Sequence, residues 1–168
     1  FITFLMCGYI FYLFSKRWLS SISALGVTLL FITQPLLWGH AFINPKDIPF
    51  MVFFMASIFL GFEMADANPK SIRKIIMMLV AGIFLGLTIS FRVLGPLAGV
   101  FVIVYIVAKH RLQAFSYIIP YIVIAVISSY LTWPYLWKAP IANYIESLKT
   151  MSDFPFDARV LYWGELYF

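Results

Sequence analysis

Charge is scarce in this sequence. Only 11% of its 168 residues are Asp, Glu, Lys or Arg, against roughly a quarter in a typical soluble domain. With 63% apolar side chains and a mean hydropathy of +0.95, there is too little polar surface to cover the rest. A water-soluble globule is excluded, and lipid must be part of the solvent. Cysteine is limited to Cys7, which excludes an intrachain disulfide and a cysteine metal cluster. Several catalytic signatures are missing: a Gly-x-x-x-x-Gly-Lys phosphate loop, a His-Glu-x-x-His zinc site and a Gly-x-Ser-x-Gly elbow. There is no low-complexity stretch and no short-period repeat. An initiator Met and a signal-peptide n-region are absent as well, since the chain opens at Phe1 inside an apolar run. It is therefore expected to be a fragment.

Long apolar runs are abundant. Crossing a hydrocarbon core of about 30 Å takes about 20 residues. Six segments are predicted: Phe1 to Phe14, Leu19 to Trp38, Ile48 to Met64, Ile75 to Ser90, Gly95 to Ala108, and Leu112 to Leu136 with a kink at Pro120. The fourth and fifth form one stretch of about 34 residues, on the order of 50 Å as a helix and too long for one span. The break falls where Arg92, Gly95 and Pro96 coincide; both halves are short, and hydropathy leaves thin spans, tilted pieces and a re-entrant pair open. The expected fold is an all-α polytopic transmembrane bundle of about six segments with short outer-face loops. Residues 1–138 form its membrane region, and 139–168 an extracytoplasmic loop or interfacial segment.

The net charge of +5, from 12 Lys and Arg against 7 Asp and Glu, fits cytoplasmic loop bias and needs no nucleic-acid partner. If the segments alternate, Lys16-Arg17, Lys70/Arg73/Lys74 and Lys109-His110-Arg111 fall on one side, which is then cytoplasmic. His40 to Asp47, the Arg92 turn and the tail from Trp137 fall on the other.

An ionisable residue near the membrane core is costly and needs a partner. Arg92, between Phe91 and Val93, calls for a phosphate, a carboxylate or water; snorkelling to the interface is the plainer alternative. Asp47 is placed at the N-cap of the third segment, and capping alone would account for it. Yet His40, Asn44, Lys46 and Asp47 bring a base, an amide, a cation and a carboxylate to one loop, a set able to grip sugar hydroxyls and a phosphate. Trp133 to Trp137 reads as an interfacial belt, with a sugar-stacking platform as the alternative. The tail, with Glu146, Asp153, Asp157, Arg159 and Glu165, reads as a loop or interfacial hairpin. Its paired carboxylates are of a type that can do acid/base work. Gly82 and Gly86 mark close helix packing.

Three strings carry a family resemblance. Asn44-Pro45-Lys46-Asp47-Ile48-Pro49-Phe50 resembles the second acidic motif of polytopic glycosyltransferases of the protein-mannosyltransferase and aminoarabinose-transferase type, the GT-C group (glycosyltransferase family 39). Gly82 to Pro96 is similar to that family's small-residue helix ending in a basic residue followed by Gly. The tail around Phe154-Pro155-Phe156 and Val160 to Gly164 resembles a stretch preceding a Leu-Pro-Trp-Tyr type segment.

The resemblance implies an inverting transferase in a multi-pass membrane protein, expected in a bacterial inner membrane with its active side facing the periplasm or exterior. The implied partners are a polyprenyl-phosphate sugar donor, membrane lipid and an acceptor left unspecified. By resemblance Asp47 is a supporting acidic residue, and Arg92 is the basic group that neutralises the donor phosphate. Lys46, His40 and Asn44 are counted with substrate binding. The family's general base belongs to an outer loop preceding Phe1, so the fragment is expected to be inactive alone. No cofactor is firmly indicated; a divalent metal stays open. A transporter or flippase with Arg92 and Asp47 along its path is the competing reading, although no inverted repeat is visible between the halves. A non-catalytic assembly subunit is another.

Overall fold

The computed structural model describes residues 1–68, 71–153, 160–162 and 165–167. Eight α-helices run in order: α1 (Ile2–Ser15), α2 (Ser21–Ile32), α3 (Pro35–Ile43), α4 (Asp47–Asp66), α5 (Ile72–Phe91), α6 (Pro96–His110), α7 (Phe115–Thr132) and α8 (Pro140–Ser152). Two three-residue strands, β1 (Val160–Tyr162) and β2 (Glu165–Tyr167), pair antiparallel. The chain divides into two compact units, Phe1–Pro134 and Tyr135–Phe168. The helical bundle expected from the sequence is the fold. The tail motif at Phe154 to Phe156, together with Asp157, Arg159, Trp163 and Gly164, lies outside the described residues, as do Pro69 and Lys70.

The count of six spans is corrected. Among the described residues, three stretches are long and apolar enough to cross a membrane: α4, α5 and the 37-residue run 96–132 that holds α6 and α7. A fourth exists if α2 and α3, bent by 62°, act as one broken span. The second predicted segment was continuous, and Pro35 is the reason it is not. A proline disfavours helical backbone in the residue before it, and Gln34 is accordingly extended (φ −60°, ψ 120°) while Pro35 opens α3. At 14 residues, α1 is short of a full span. Pro120 lies six residues into α7, which continues through it.

The run 96–132 cannot be straight. Gly99 in α6 approaches Leu85 while Ser128 in α7 approaches Gly86, so residues 29 apart in sequence meet neighbouring residues of α5. The chain reverses through a 3₁₀ turn at Arg111–Ala114, where Arg111 adopts a positive φ of 48°, a conformation uncommon for a side chain with a Cβ.

Small residues hold the bundle together, as expected where lipid tails are as apolar as Leu and helices associate by close packing. A Cβ on Gly86 would lie 2.5 Å from Ser128 Cβ and 2.6 Å from the Ala125 carbonyl oxygen. On Gly82 it would lie 2.6 Å from Ile124 Cγ2, and on Gly61 it would run into the Val102 side chain. The Gly82/Gly86 pair thus seats α5 on α7, and Gly61 seats α4 on α6. The core is built from Met64, Ala81, Leu85, Ala98, Val102, Ile106, Tyr121 and Ala125. Large apolar side chains such as Leu30, Ile76, Val104 and Leu131 point outward, the reverse of a soluble protein and the arrangement that lipid solvent favours.

Candidate functional site

Two polar clusters stand at opposite ends of α4, and the rise of 1.5 Å per residue separates Asp47 from Asp66 by about 28 Å. The first is assembled by the turn between α3 and α4. Asn44 ends α3 and folds its side chain over the start of α4: its Oδ1 accepts from the backbone N–H groups of Lys46 (3.1 Å) and Asp47 (2.9 Å). This satisfies donors that a helix start otherwise leaves unpaired. Asp47 is thereby corrected from N-cap to first residue of α4, with Lys46 at the cap position and no side-chain cap of its own. Relieved of capping, the Asp47 carboxylate turns sideways. It accepts from Asn44 Nδ2 at 2.6 Å through Oδ2 and forms an ion pair with the Arg92 guanidinium through Oδ1.

Arg92 reaches Asp47 because of the turn that follows α5. Its backbone is extended (φ −150°, ψ 141°), and Gly95 N–H donates back to the Arg92 carbonyl at 2.8 Å. Only glycine fits there: a Cβ on Gly95 would sit 2.5 Å from the backbone N and Cα of Ile89. Pro96 then starts α6 with the fixed φ suited to a first turn. The guanidinium lies 5.9 Å from the centre of the Phe50 ring, one helical turn on from Lys46. His40 completes the line, its Nδ1 3.3 Å from Asn44 Nδ2. Because that amide nitrogen only donates, Nδ1 is the acceptor of this contact.

The structure therefore joins four of the five predicted site residues into one chain, His40, Asn44, Asp47 and Arg92, leaving Lys46 exposed beside it. The side chains of Arg92 and Asp47 remain 32% and 48% exposed, so the pair is open to a ligand. Phe50 was not foreseen from the sequence, nor was Asn44 as the residue that frees Asp47; the Asn-Pro-x-Asp spacing is the signal that could have revealed an Asx turn.

The second cluster was read only as loop charge. Glu63 and Asp66, at the C-terminal end of α4, hold the basic residues in place. Arg17 Nη1 donates to Glu63 at 2.5 Å, its Nη2 pairs with Asp66, Arg73 reaches Glu63 at 3.1 Å and Lys109 pairs with Asp66. Tyr105 donates to Asp66 at 2.9 Å. Burial works against the Arg17 charge, but bonds to Asp66 and Tyr105 more than offset it and hold its pKa above the ordinary arginine value. Nearby, His110 Nε2 donates to the Ala65 carbonyl at 2.8 Å and stacks on Tyr117, whose ring also carries Lys74 Nζ at 3.6 Å. No group of three or more His, Cys, Asp or Glu among the described residues is placed to hold a metal ion.

Apolar helices able to cross a membrane, closed at one end by a half-exposed carboxylate–guanidinium pair, define a multi-pass membrane protein with a polar site at its helix ends. The chain belongs to the dolichyl-phosphate-mannose-protein mannosyltransferase family, whose pattern matches residues 1–148. That match takes in both clusters, and it makes this a chain of a membrane glycosyltransferase family. No curated protein and no solved structure gives a significant match.

Proposed function

We propose that the Asp47–Arg92 cluster binds the reacting end of a polyprenyl-phosphate mannose donor, on the extracytoplasmic side of the membrane, for transfer to an acceptor hydroxyl. A general base takes the proton of the acceptor hydroxyl as its oxygen attacks the anomeric carbon, the bond from that carbon to the phosphate oxygen breaks, and its electrons remain on the lipid phosphate. Charge grows on that phosphate as the sugar leaves. A fixed guanidinium beside it is stronger there than in the ground state, which is the condition for accelerating the step. Arg92 is given this role and Lys46, exposed beside the pair, assists it. Asp47 takes the supporting acidic role, orienting the acceptor while Asn44, itself in contact with His40, holds its carboxylate. In this reading 1–138 is the membrane region and 139–168 its extracytoplasmic or interfacial extension.

The observation that carries the reading is the pairing of Arg92 with Asp47: the two residues chosen for phosphate and hydroxyl chemistry share one site, in a family named for transfer from a lipid-phosphate mannose. The side assignment is supported by the opposite end, where Lys16, Arg17, Arg73, Lys74, Lys109 and Arg111 gather, as cytoplasmic loops do. In the complete protein, Asp47→Asn and Arg92→Ala should each lower mannose transfer at least about tenfold, a loss of about 1.4 kcal/mol of transition-state stabilisation. Rates near wild type in both variants would remove the assignment.

A further inference from the structure

The helix α8 has no buried residue, and its apolar side chains nonetheless fall on one face. Ile141, Ile145, Leu148 and Met151 recur every three or four residues and are 77%, 46%, 40% and 44% exposed. The opposite face carries Asn143, Glu146, Lys149 and Thr150, and it is this polar side that is bonded within its own unit: Tyr135 donates to Glu146 at 2.7 Å, and Asn143 Nδ2 donates to the Tyr135 carbonyl at 2.5 Å. A soluble helix does the opposite, turning its apolar face inward. Thirteen residues with alternating character cannot cross a bilayer, but they suit its surface. The helix is also tethered there. Eight Cα-to-Cα steps lead from Thr132, the end of a membrane-crossing run, to Pro140, a connection that at about 3.5 Å each is at most about 28 Å long. The tether holds Tyr135 and Trp137, both exposed and both residue types that settle at headgroup level.

We propose that α8 lies along the membrane surface, its Ile141–Ile145–Leu148–Met151 face in the boundary between headgroups and acyl chains and its Glu146–Lys149–Thr150 face in water. The occupant of the apolar face is lipid, and this seat does not depend on which donor the Asp47–Arg92 cluster takes. The test places a spin label at single cysteines, Ile145→Cys, Leu148→Cys, Glu146→Cys and Thr150→Cys, in the complete protein with the buried Cys7 replaced by Ala. All four positions are exposed, so the label should not disturb the fold. The protein is reconstituted in vesicles of phosphatidylcholine with a minority of phosphatidylglycerol. Collision with oxygen, which concentrates in lipid, is compared with collision with a water-soluble nickel chelate. The expected oxygen-to-nickel ratio at 145 and 148 exceeds that at 146 and 150 by about tenfold. Equal, water-like ratios at all four would overturn the proposal, and so would shielding of 145 and 148 from both reagents, which would mean that protein covers the face.

Discussion

The two ends of α4 hold comparable chemistry in opposite ways. At the Asp66 end, two carboxylates are shared among Arg17, Arg73, Lys109 and Tyr105, so the acidic oxygens are taken up by residues from the α1–α2 loop, α5 and α6. Such a network fixes helix ends relative to one another. At the Asp47 end there is one guanidinium and one carboxylate, each substantially exposed, with a cation left in solvent alongside. A pair of that kind does little for stability, because exposed ion pairs are worth only about 0–1 kcal/mol. The difference lies in how the charges are shared: a network of several partners at the Asp66 end, a single pair at the Asp47 end, which is the end proposed to meet a ligand.

That contrast can be broken by moving charges at each end. The largest effect on activity is expected from Arg92→Ala, with mannose transfer down at least about tenfold and the thermal midpoint in detergent nearly unchanged, since only a half-exposed pair is lost. A variant that unfolds instead would make Arg92 structural and erase the distinction. Gly95→Ala should lower both readouts: the added methyl meets the backbone of Ile89, at a cost of about 1–3 kcal/mol, and the turn that presents Arg92 shifts. Thermal melting and transfer rate measured together would show it. Asp66→Asn should act on stability alone, by about 1–3 kcal/mol, less than the 3–5 typical of a fully buried pair because the carboxylate is partly exposed. Activity per folded molecule should stay within about threefold of wild type. Lys46→Ala is placed last, with an effect of about two- to threefold on the apparent affinity for donor and none on melting, because an exposed lysine lends charge without fixed geometry.

Much of this fold was legible in the sequence because apolar runs are long and their interruptions are chemical. Gly82 and Gly86 announced a close helix contact, and Arg92-Val93-Leu94-Gly95-Pro96 announced a break, since charge, Gly and Pro act locally. The break at Pro35 carried little signal because Thr33-Gln34-Pro35 is a short interruption between apolar runs, and hydropathy averages over it. Gly61 carried no visible signal: its partner Val102 is distant in sequence, and only packing reveals that a Cβ there has no room. The site was legible by composition, as a loop with too many polar residues for its surroundings. Its wiring was not, because capping by Asp47 and capping by Asn44 are equally good readings of the string, and only the fold shows which side chain is left to meet Arg92. Glu63 and Asp66 were passed over for a related reason. A carboxylate at the end of an apolar run looks like a stop signal until its three-dimensional partners are in view.

The central claim, that the Asp47–Arg92 end is the ligand end and the Asp66 end is the clasp, is tested most directly by binding. Polyprenyl phosphate, the proposed leaving group, is titrated against the complete protein in lipid nanodiscs and its dissociation constant compared in wild type, Arg92→Ala and Asp66→Asn. The account predicts binding weakened about tenfold or more by Arg92→Ala and changed by less than about twofold by Asp66→Asn. Weakening by Asp66→Asn with none from Arg92→Ala would contradict it.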